Sequence, residues 1–113
     1  HGGADRKVAL TFDDGPDPRY TPQILDALRE AGVPATFFIV GVNGQLHPEL
    51  LRRELDEGHE IGNHTYTHPN IAFISPKQFQ LELSASFNLL LSGLLFYRTA
   101  AKQQAYPTTI PLE

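Results

Sequence analysis

The sequence predicts an α/β fold built from parallel strand–helix units, and three observations support this prediction. Short β-branched or aromatic runs alternate with amphipathic helical segments along residues 8–91, an order typical of parallel α/β folds with right-handed crossovers. The run at 35–40 (ATFFIV) is almost wholly apolar, as expected of a strand that is buried on both faces of a sheet. Glycine or proline stands at most boundaries between these segments.

The first strand is predicted at 8–12, because the VALTF run is rich in β-branched and aromatic residues. It ends at the turn-forming sequence DDGPDP of residues 13–18. A first helix is predicted at 22–31, where Thr21 is a suitable N-cap and a proline occupies the favoured first helical position. Gly32 then supplies a left-handed stop.

The second helix is predicted to begin at Pro48 and to end before Gly58, with leucines at helical spacing on one face. Its charged side chains are predicted to form a solvated face: Arg52, Arg53, Glu54, Asp56 and Glu57. A third strand is predicted at 59–62 (HEIG), and His59 at its start is expected to have a structural hydrogen-bonding role.

The third helix is predicted to begin after Ser75, which forms the pattern of a capping box with Gln78. Apolar residues at helical spacing continue this helix to about residue 91. A fourth strand is predicted at 94–97, after which neither the helical nor the strand period continues.

The length limits the organisation of the chain. Its 113 residues are enough for one domain, but a complete (β/α) barrel needs about 200 or more. The chain begins with His1 and contains no methionine, so we expect a processed or excised piece. Residues 1–7 are predicted to be a polar leader, residues 8–95 the folded domain, and residues 96–113 an irregular tail.

Composition and missing motifs exclude several classes of protein. The absence of cysteine excludes disulfides, thiolate nucleophiles and Cys-ligated zinc. The net charge of −4 argues against a nucleic-acid-binding surface, and no apolar run approaches the roughly 20 residues that a membrane span requires, so we expect no membrane insertion. The sequence also lacks the motifs of zincins, nucleotide-binding loops and serine hydrolases.

Two groups of chemically active side chains are expected at one edge of the sheet. Asp13 and Asp14 follow the first predicted strand, and His64 and His68 follow the third. Ligands of parallel α/β folds bind at the carboxyl ends of the strands, so both groups should lie on the same rim. Two histidines and one carboxylate are a common ligand set for a catalytic divalent metal. The second carboxylate would then take a proton from a water molecule.

The same residues have structural interpretations that the sequence leaves open. A DDGP segment is typical of a turn, and with 5 His in the chain a His-x-x-x-His pair also arises by chance. His47, before a helix-starting proline, is predicted to be a capping or surface residue. Tyr66, between the two candidate ligands, either packs beside the site or binds substrate in a sugar-binding groove.

Several segments resemble a known enzyme family. Residues 11–16 (TFDDGP) resemble the first motif of the NodB-type polysaccharide deacetylases, carbohydrate esterase family 4, and residues 58–68 (GHEIGNHTYTH) resemble the second. The PATFF sequence at 34–38 matches the same family. The resemblance covers about residues 7–91 and implies roughly half of a distorted (β/α) barrel of the NodB type. A finer resemblance, in residues 68–91, is to deacetylase domains fused to a family-2 glycosyltransferase.

The resemblance implies hydrolysis of N-acetyl or O-acetyl groups from peptidoglycan, chitin or a related N-acetylglucosamine glycan. It implies that Asp13 is the general base and that Asp14, His64 and His68 bind a divalent metal, usually zinc. The metal and a backbone N–H near Tyr66 would then stabilise the oxyanion. The usual setting of the family implies an extracellular or cell-envelope location.

The sequence also departs from the family pattern. Arg98 is the candidate for the arginine of the third motif, which orients the base, but the proline and aromatic residue of that motif are missing. No histidine follows His68, so the family's general acid is absent. One alternative is therefore a catalytically incompetent fragment or pseudoenzyme that binds metal and glycan. A second is an α/β interaction domain in which the candidate ligands are only structural.

Overall fold

The computed structural model describes the backbone of residues 6–101 and 110–111 and the side chains of residues 6–92. Its strands are β1 (Lys7–Val8), β2 (Thr11–Gly15), β3 (Thr36–Ile39), β4 (Glu60–Asn63) and β5 (Ile110–Pro111). Strands β2, β3 and β4 form a parallel sheet in that order, and β1 pairs with β5 in a separate antiparallel ladder. The parallel sheet confirms the predicted α/β fold.

Four α-helices accompany the sheet: α1 (Thr21–Ala31), α2 (Gly41–Leu46), α3 (Pro48–Asp56) and α4 (Pro76–Ala101), with a short 3-10 turn at Ile71–Phe73. Parallel neighbours require a crossover, which α1 supplies between β2 and β3, and α2 with α3 supply between β3 and β4. Helix α2 was not predicted, because its sequence GVNGQL has no helical period. None of the helices in the described part is apolar enough along its length to cross a membrane.

The apolar core lies between the sheet and the helices. Its fully buried members come from α1, β3 with the residue before it, and α4: Leu25, Leu28, Ala35, Phe37, Ile39 and Leu90. The expected burial of β3 on both faces is only partial, since Thr36 and Phe38 on the second face keep some exposure. The ring of Phe38 lies over Gly62 of β4, where an added Cβ would come within 2.5 Å of a ring carbon.

The helix boundaries follow the sequence signals in part. Gly32 ends α1 in the left-handed conformation with φ 70°, as predicted. The capping box of α4 is confirmed, because Gln78 N donates to Ser75 Oγ at 3.1 Å and Ser75 N donates to Gln78 Oε1 at 3.0 Å. Thr21 is not the cap of α1 but its first residue, and its Oγ1 accepts a hydrogen bond from Asp17 N at 2.8 Å.

Two predicted strands differ from the structure. The first strand lies at Thr11–Gly15 rather than at 8–12, because its partners in β3 begin opposite Thr11. The strand predicted at 94–97 lies inside α4, which continues to Ala101. Leucine and alanine favour a helix, and this segment of α4 contains no proline to end it. The predicted leader and tail extend beyond the described residues, so these domain boundaries stay predictions.

The prediction that the charged face of α3 is solvated is wrong for Glu54. This side chain has no exposed surface, and neither of its carboxyl oxygens has a hydrogen-bond partner among the described residues. Burial raises the pKa of Glu54 to about 8, because a charged carboxylate is disfavoured away from water. The neighbouring Glu57 instead accepts a hydrogen bond of 2.6 Å from Arg53 Nε.

The structural role predicted for His59 is confirmed. Its imidazole is buried, and Nδ1 accepts a hydrogen bond of 3.0 Å from Ala35 N at the entry to β3. The ring meets Phe37 edge-on, with 5.3 Å between ring centroids. Burial lowers the pKa of His59, so the neutral ring ties β4 to β3 in the core and takes no part in the rim of the sheet.

Candidate metal centre

The end of β2 contains a bulge that includes the first candidate ligand. Asp13 and Gly15 pair with consecutive residues of β3, so Asp14 is an extra residue in the strand. Its backbone has φ 74°, a left-handed conformation that aspartate tolerates better than most residues. A bulge of this kind turns a side chain away from the regular alternation of the strand. The backbone is held by Asn43 of α2, whose Nδ2 donates to Asp14 O at 2.8 Å.

The two candidate histidines lie in the segment that follows β4, residues 64–68, which we name the histidine loop. His64 remains attached to the sheet, because its N donates to Ile39 O at 2.9 Å. The backbone then turns sharply, with left-handed φ values of 66° at Thr65 and 60° at His68. These two turns allow histidines four positions apart to face one point without a helix between them.

The structure brings Asp14, His64 and His68 together. Asp14 Oδ1 lies 3.1 Å from His64 Nε2 and 3.3 Å from His68 Nε2, and the three ligand atoms lie within 4.8 Å of one another. Zinc binds nitrogen and oxygen ligands at about 2.0–2.2 Å in a tetrahedron, which places neighbouring ligand atoms about 3.3 Å apart. The donor set, with both Asp14 distances close to this value, therefore fits a divalent metal of this kind.

The centre is open to solvent on one side. The side chain of His64 is 33% exposed, and those of His68 and Asp14 are 56% and 64% exposed. Asp13 is also exposed and immediately precedes Asp14, yet it is not a member of the three-residue ligand cluster found in the described part of the chain. An exposed carboxylate next to the ligands can act on a molecule bound there.

Glu82 of α4 holds the middle of the histidine loop. Its Oε2 accepts hydrogen bonds from Tyr66 N at 2.8 Å and Thr67 N at 2.7 Å, and its Oε1 accepts one from Thr67 Oγ1. Partial burial alone would raise the pKa of Glu82, but the bonds from Thr67 and Tyr66 outweigh it and lower that pKa below its ordinary value. The carboxylate is therefore ionised where it meets the loop.

Helix α2 also supports the histidine loop, because its N–H groups donate to carbonyl oxygens of the loop. Gly41 N donates to Thr65 O at 2.9 Å, and Val42 N donates to Tyr66 O at 2.9 Å. These N–H groups belong to the first turn of the helix, which has no partner for them inside the helix. Gly41 also leaves room for Tyr66, since an added Cβ would lie 2.4 Å from its Cδ1 and 3.1 Å from its Cα.

The surroundings of Tyr66 bear on two predictions. Its own backbone N–H donates to Glu82, and the expected oxyanion donor, a backbone N–H near Tyr66, stays a prediction. Its side chain packs against α2, where the hydroxyl donates to Gln45 Oε1, and it lines one wall of a cavity of about 450 Å³ between the loop and α4. A role in substrate binding stays a prediction.

The role of Arg98 also stays a prediction. The residue lies in the helical backbone of α4 rather than in an irregular tail, and its side chain lies outside the described residues. Glu82 could not be predicted as a site residue from the sequence, because a glutamate in an amphipathic helix ordinarily faces solvent. The partners of Glu82 become apparent from the position of α4 beside the end of β4.

Comparison with known proteins shows which family the chain resembles in sequence. A family model described as polysaccharide deacetylase matches residues 2–92. A peptidoglycan-N-acetylglucosamine deacetylase of Bacillus cereus is 46% identical over 84 residues, which are 74% of this chain and 30% of the relative. A chitooligosaccharide deacetylase of Rhizobium leguminosarum bv. trifolii is 45% identical over 92 residues, 81% of this chain and 43% of the relative.

A solved structure shares the fold as well. The family 4 carbohydrate esterase from Streptomyces lividans, in complex with acetate, superposes with a TM-score of 0.72 at 37% identity over 76% of this chain and 44% of that one. The chain thus spans less than half the length of these relatives. Its sheet and helices correspond to part of the NodB-type barrel of these relatives. The finer resemblance to domains fused to a glycosyltransferase stays a prediction. By the match over residues 2–92, the chain belongs to the polysaccharide deacetylase family.

Proposed function

We propose that this chain carries the metal-binding part of a deacetylase that hydrolyses N-acetyl or O-acetyl groups of a glycan. The observation that supports this most directly is the convergence of the Asp14, His64 and His68 ligand atoms within 4.8 Å, next to the exposed Asp13. The relatives named above act, by their names, on peptidoglycan N-acetylglucosamine and chitooligosaccharides. We therefore assign N-acetylglucosamine glycans as the substrate class.

Zinc is the proposed ion, since two imidazole nitrogens and one carboxylate oxygen at tetrahedral spacing match its preferences. When bound, such an ion polarises the acetyl carbonyl and lowers the pKa of water. The protein residues supply its position: β2 fixes Asp14 through the bulge, and β4 with the histidine loop fixes His64 and His68.

Asp13 is the proposed general base. Asp13 directly precedes Asp14 at the end of β2, is exposed and is not a member of the ligand cluster, which supports a role in accepting the proton of the attacking water. A base works best when its orientation is fixed, and Arg98 is the candidate for that role. The leaving nitrogen also needs a proton, and since no histidine follows His68 in this chain, the proton that Asp13 accepts from the water would be returned to that nitrogen by Asp13.

The proposed location is the cell envelope or the extracellular space. Relatives include a peptidoglycan-N-acetylmuramic acid deacetylase of Bacillus subtilis and a peptidoglycan-N-acetylglucosamine deacetylase of Listeria monocytogenes. A peptidoglycan substrate lies outside the cytoplasmic membrane, so an enzyme that acts on it must reach that side.

The proposal is tested by separating metal binding from proton transfer. Asp13→Asn should lower acetate release from N-acetylated chitooligosaccharides by about 100-fold or more, while the zinc content measured by elemental analysis stays unchanged. The substitution keeps the size of the side chain and removes only its basicity. Glu49→Gln, an exposed change on α3, is the control and should alter neither quantity.

Three results would contradict the proposal. Zinc that is lost together with activity in Asp13→Asn would make Asp13 a ligand rather than the base. A protein that binds zinc stoichiometrically but releases no acetate would favour the alternative of a non-catalytic metal-binding fragment. A protein that binds no zinc would leave the three clustered residues with a structural role only.

A further inference from the structure

We propose that Glu82 is a positioning residue whose carboxylate fixes the histidine loop and thereby sets the metal affinity of the centre. This inference rests on the proposed function, since it assumes that His64 and His68 bind the ion. Glu82 itself touches neither histidine in the hydrogen-bond network; it acts through Tyr66 and Thr67, which lie between them.

Glu82 accepts hydrogen bonds from several groups of the histidine loop. Three donors, two adjacent backbone N–H groups and one hydroxyl, end on this one side chain. A carboxylate accepts all three without offering a competing donor, and hydrogen bonds to a charged acceptor are stronger than those between neutral groups. In the described part of the chain, no other side chain receives more than one bond from the histidine loop.

These bonds maintain an unfavourable backbone conformation of the histidine loop. Thr65 and His68 both have left-handed backbones, which cost free energy in residues other than glycine and persist only when the surroundings impose them. Glu82 fixes the two residues that lie between these turns. Without it, the loop would relax towards ordinary φ values and the His68 imidazole would move relative to His64.

Glu82 is itself held in place by helix α4. Helix α4 begins at the capping box of Ser75 and Gln78. The residue after Glu82 is tied to the sheet, because Asn63 Nδ2 donates to Leu83 O at 3.0 Å. Asn63 Oδ1 in turn accepts Thr65 N at 2.9 Å. Residues 82 and 83 thus join the end of β4 and the loop to one rigid helix.

The expected effect of removing Glu82 follows from the behaviour of residues that hold metal ligands in place without binding the metal themselves. Groups that orient ligands typically change metal affinity by about 10- to 100-fold when removed. Glu82→Ala should therefore weaken zinc binding by about that factor. Glu82→Gln should stay within about threefold of the unsubstituted protein, because its amide oxygen can accept both N–H groups while its NH₂ donates to Thr67 Oγ1.

The experiment measures the zinc dissociation constant by competition with a chromophoric chelator, below the melting temperature of every variant. Amide hydrogen exchange at Tyr66 and Thr67 is measured in the zinc-free proteins, and exchange should accelerate in Glu82→Ala. Gln80→Ala, an exposed change on the same helix, is the matched control and should alter neither quantity. If Glu82→Ala does not fold, Glu82→Asp replaces it, since a shorter side chain cannot keep both N–H bonds.

The outcomes separate this inference from the function on which it rests. Equal zinc affinity in Glu82→Ala and the unsubstituted protein overturns the positioning role and leaves the metal centre intact. A loss in Glu82→Gln as large as in Glu82→Ala also overturns it, because charge rather than placement would then decide affinity. A protein that binds no zinc before any substitution overturns both the inference and the proposed function.

Discussion

The two loops that meet at the candidate metal centre are held in different ways. The first, residues 13–18, which we name the aspartate loop, has local bonds near its end, where Asp17 Oδ1 accepts Arg19 N at 2.7 Å and Tyr20 N at 2.9 Å, while Asn43 of α2 holds its beginning at Asp14 O. The histidine loop is held by α2 and by Glu82 of α4, which are far away in the sequence. The aspartate loop is therefore supported partly by its own neighbours, and the histidine loop mainly by tertiary packing.

This difference separates what each loop needs in order to present its ligands. The aspartate loop requires a bulge with one left-handed residue, Asp14, which the pairing with β3 and the bond from Asn43 maintain, and a turn, which short-range hydrogen bonds maintain. The histidine loop requires two left-handed residues, Thr65 and His68, and these need contacts from outside. Damage to distant packing should therefore displace the histidines before it displaces Asp14.

Removing a metal ligand from either loop should have the largest effect on zinc binding. This effect should be similar for the two loops, although they are supported differently. Asp14→Ala and His64→Ala should each weaken zinc binding by about 100-fold or more, beyond the range typical of outer residues, because each removes a direct ligand. Titration against a competing chelator measures this. His47→Ala, at the cap of α3 and outside the cluster, should bind zinc normally. A tight site in Asp14→Ala would restrict the centre to the histidine loop.

The buried Glu54 should dominate the pH dependence of stability above about pH 4.5. Its pKa is about 8 in the folded protein and about 4.5 when unfolded, so below pH 4.5 it is neutral in both states. Between these values the unfolded state ionises and the folded state does not. Stability should then fall by about 1.4 kcal/mol per pH unit and level off above pH 8.

Glu54→Gln should remove this slope, since an amide does not titrate. Urea unfolding between about pH 5 and pH 8 measures it, and the total change should be a few kcal/mol. Glu49→Gln on the exposed side of the same helix should keep the slope of the unsubstituted protein. A Glu54→Gln protein that still loses stability at the same rate with pH would show that its carboxyl is hydrated.

How much could be predicted from the sequence follows the same division. The DDGP turn, the capping box of Ser75 and the four chemically active residues were predicted from local patterns, and the parallel order of strands predicted that both groups share one rim. Glu82 and Glu54 were not, because each looks like an ordinary helix-surface glutamate until the packing of α4 and α3 is known. Charge in a helical pattern indicates solvent only when nothing covers that face.

A substitution at Gly41 should disturb the histidine loop directly, through Tyr66, and the aspartate loop less, since α2 reaches that loop through Asn43. In Gly41→Ala the new Cβ would meet the ring and the Cα of Tyr66, so backbone must move. We expect a loss of about 1–3 kcal/mol of stability and weaker zinc binding. Gly15→Ala is the matched control in the aspartate loop, since its Cβ would have ordinary contacts of 3.5 Å and longer. Equal losses in the two variants would contradict the proposed difference.

The smallest effect is expected in the aspartate loop at low pH. Hydrogen bonds from the backbone N–H groups of Tyr20 and Arg19 lower the pKa of Asp17. A lowered folded-state pKa stabilises the protein above the ordinary pKa of about 4, and this contribution is lost as pH falls through the lowered value. The loop should therefore weaken below about pH 4, a range in which Glu54 is neutral in both states.

Asp17→Asn keeps an oxygen that can accept the same bonds but does not titrate, so its urea midpoint should fall less than that of the unsubstituted protein between about pH 5 and pH 3. Asp56→Asn, an exposed change at the end of α3, should follow the unsubstituted protein. Glu82→Gln tests the histidine loop in the same range, because the pKa of Glu82 is also lowered. If only Glu82→Gln flattened the acid response, the local bonds of Asp17 would contribute little, and both loops would depend on packing against the helices.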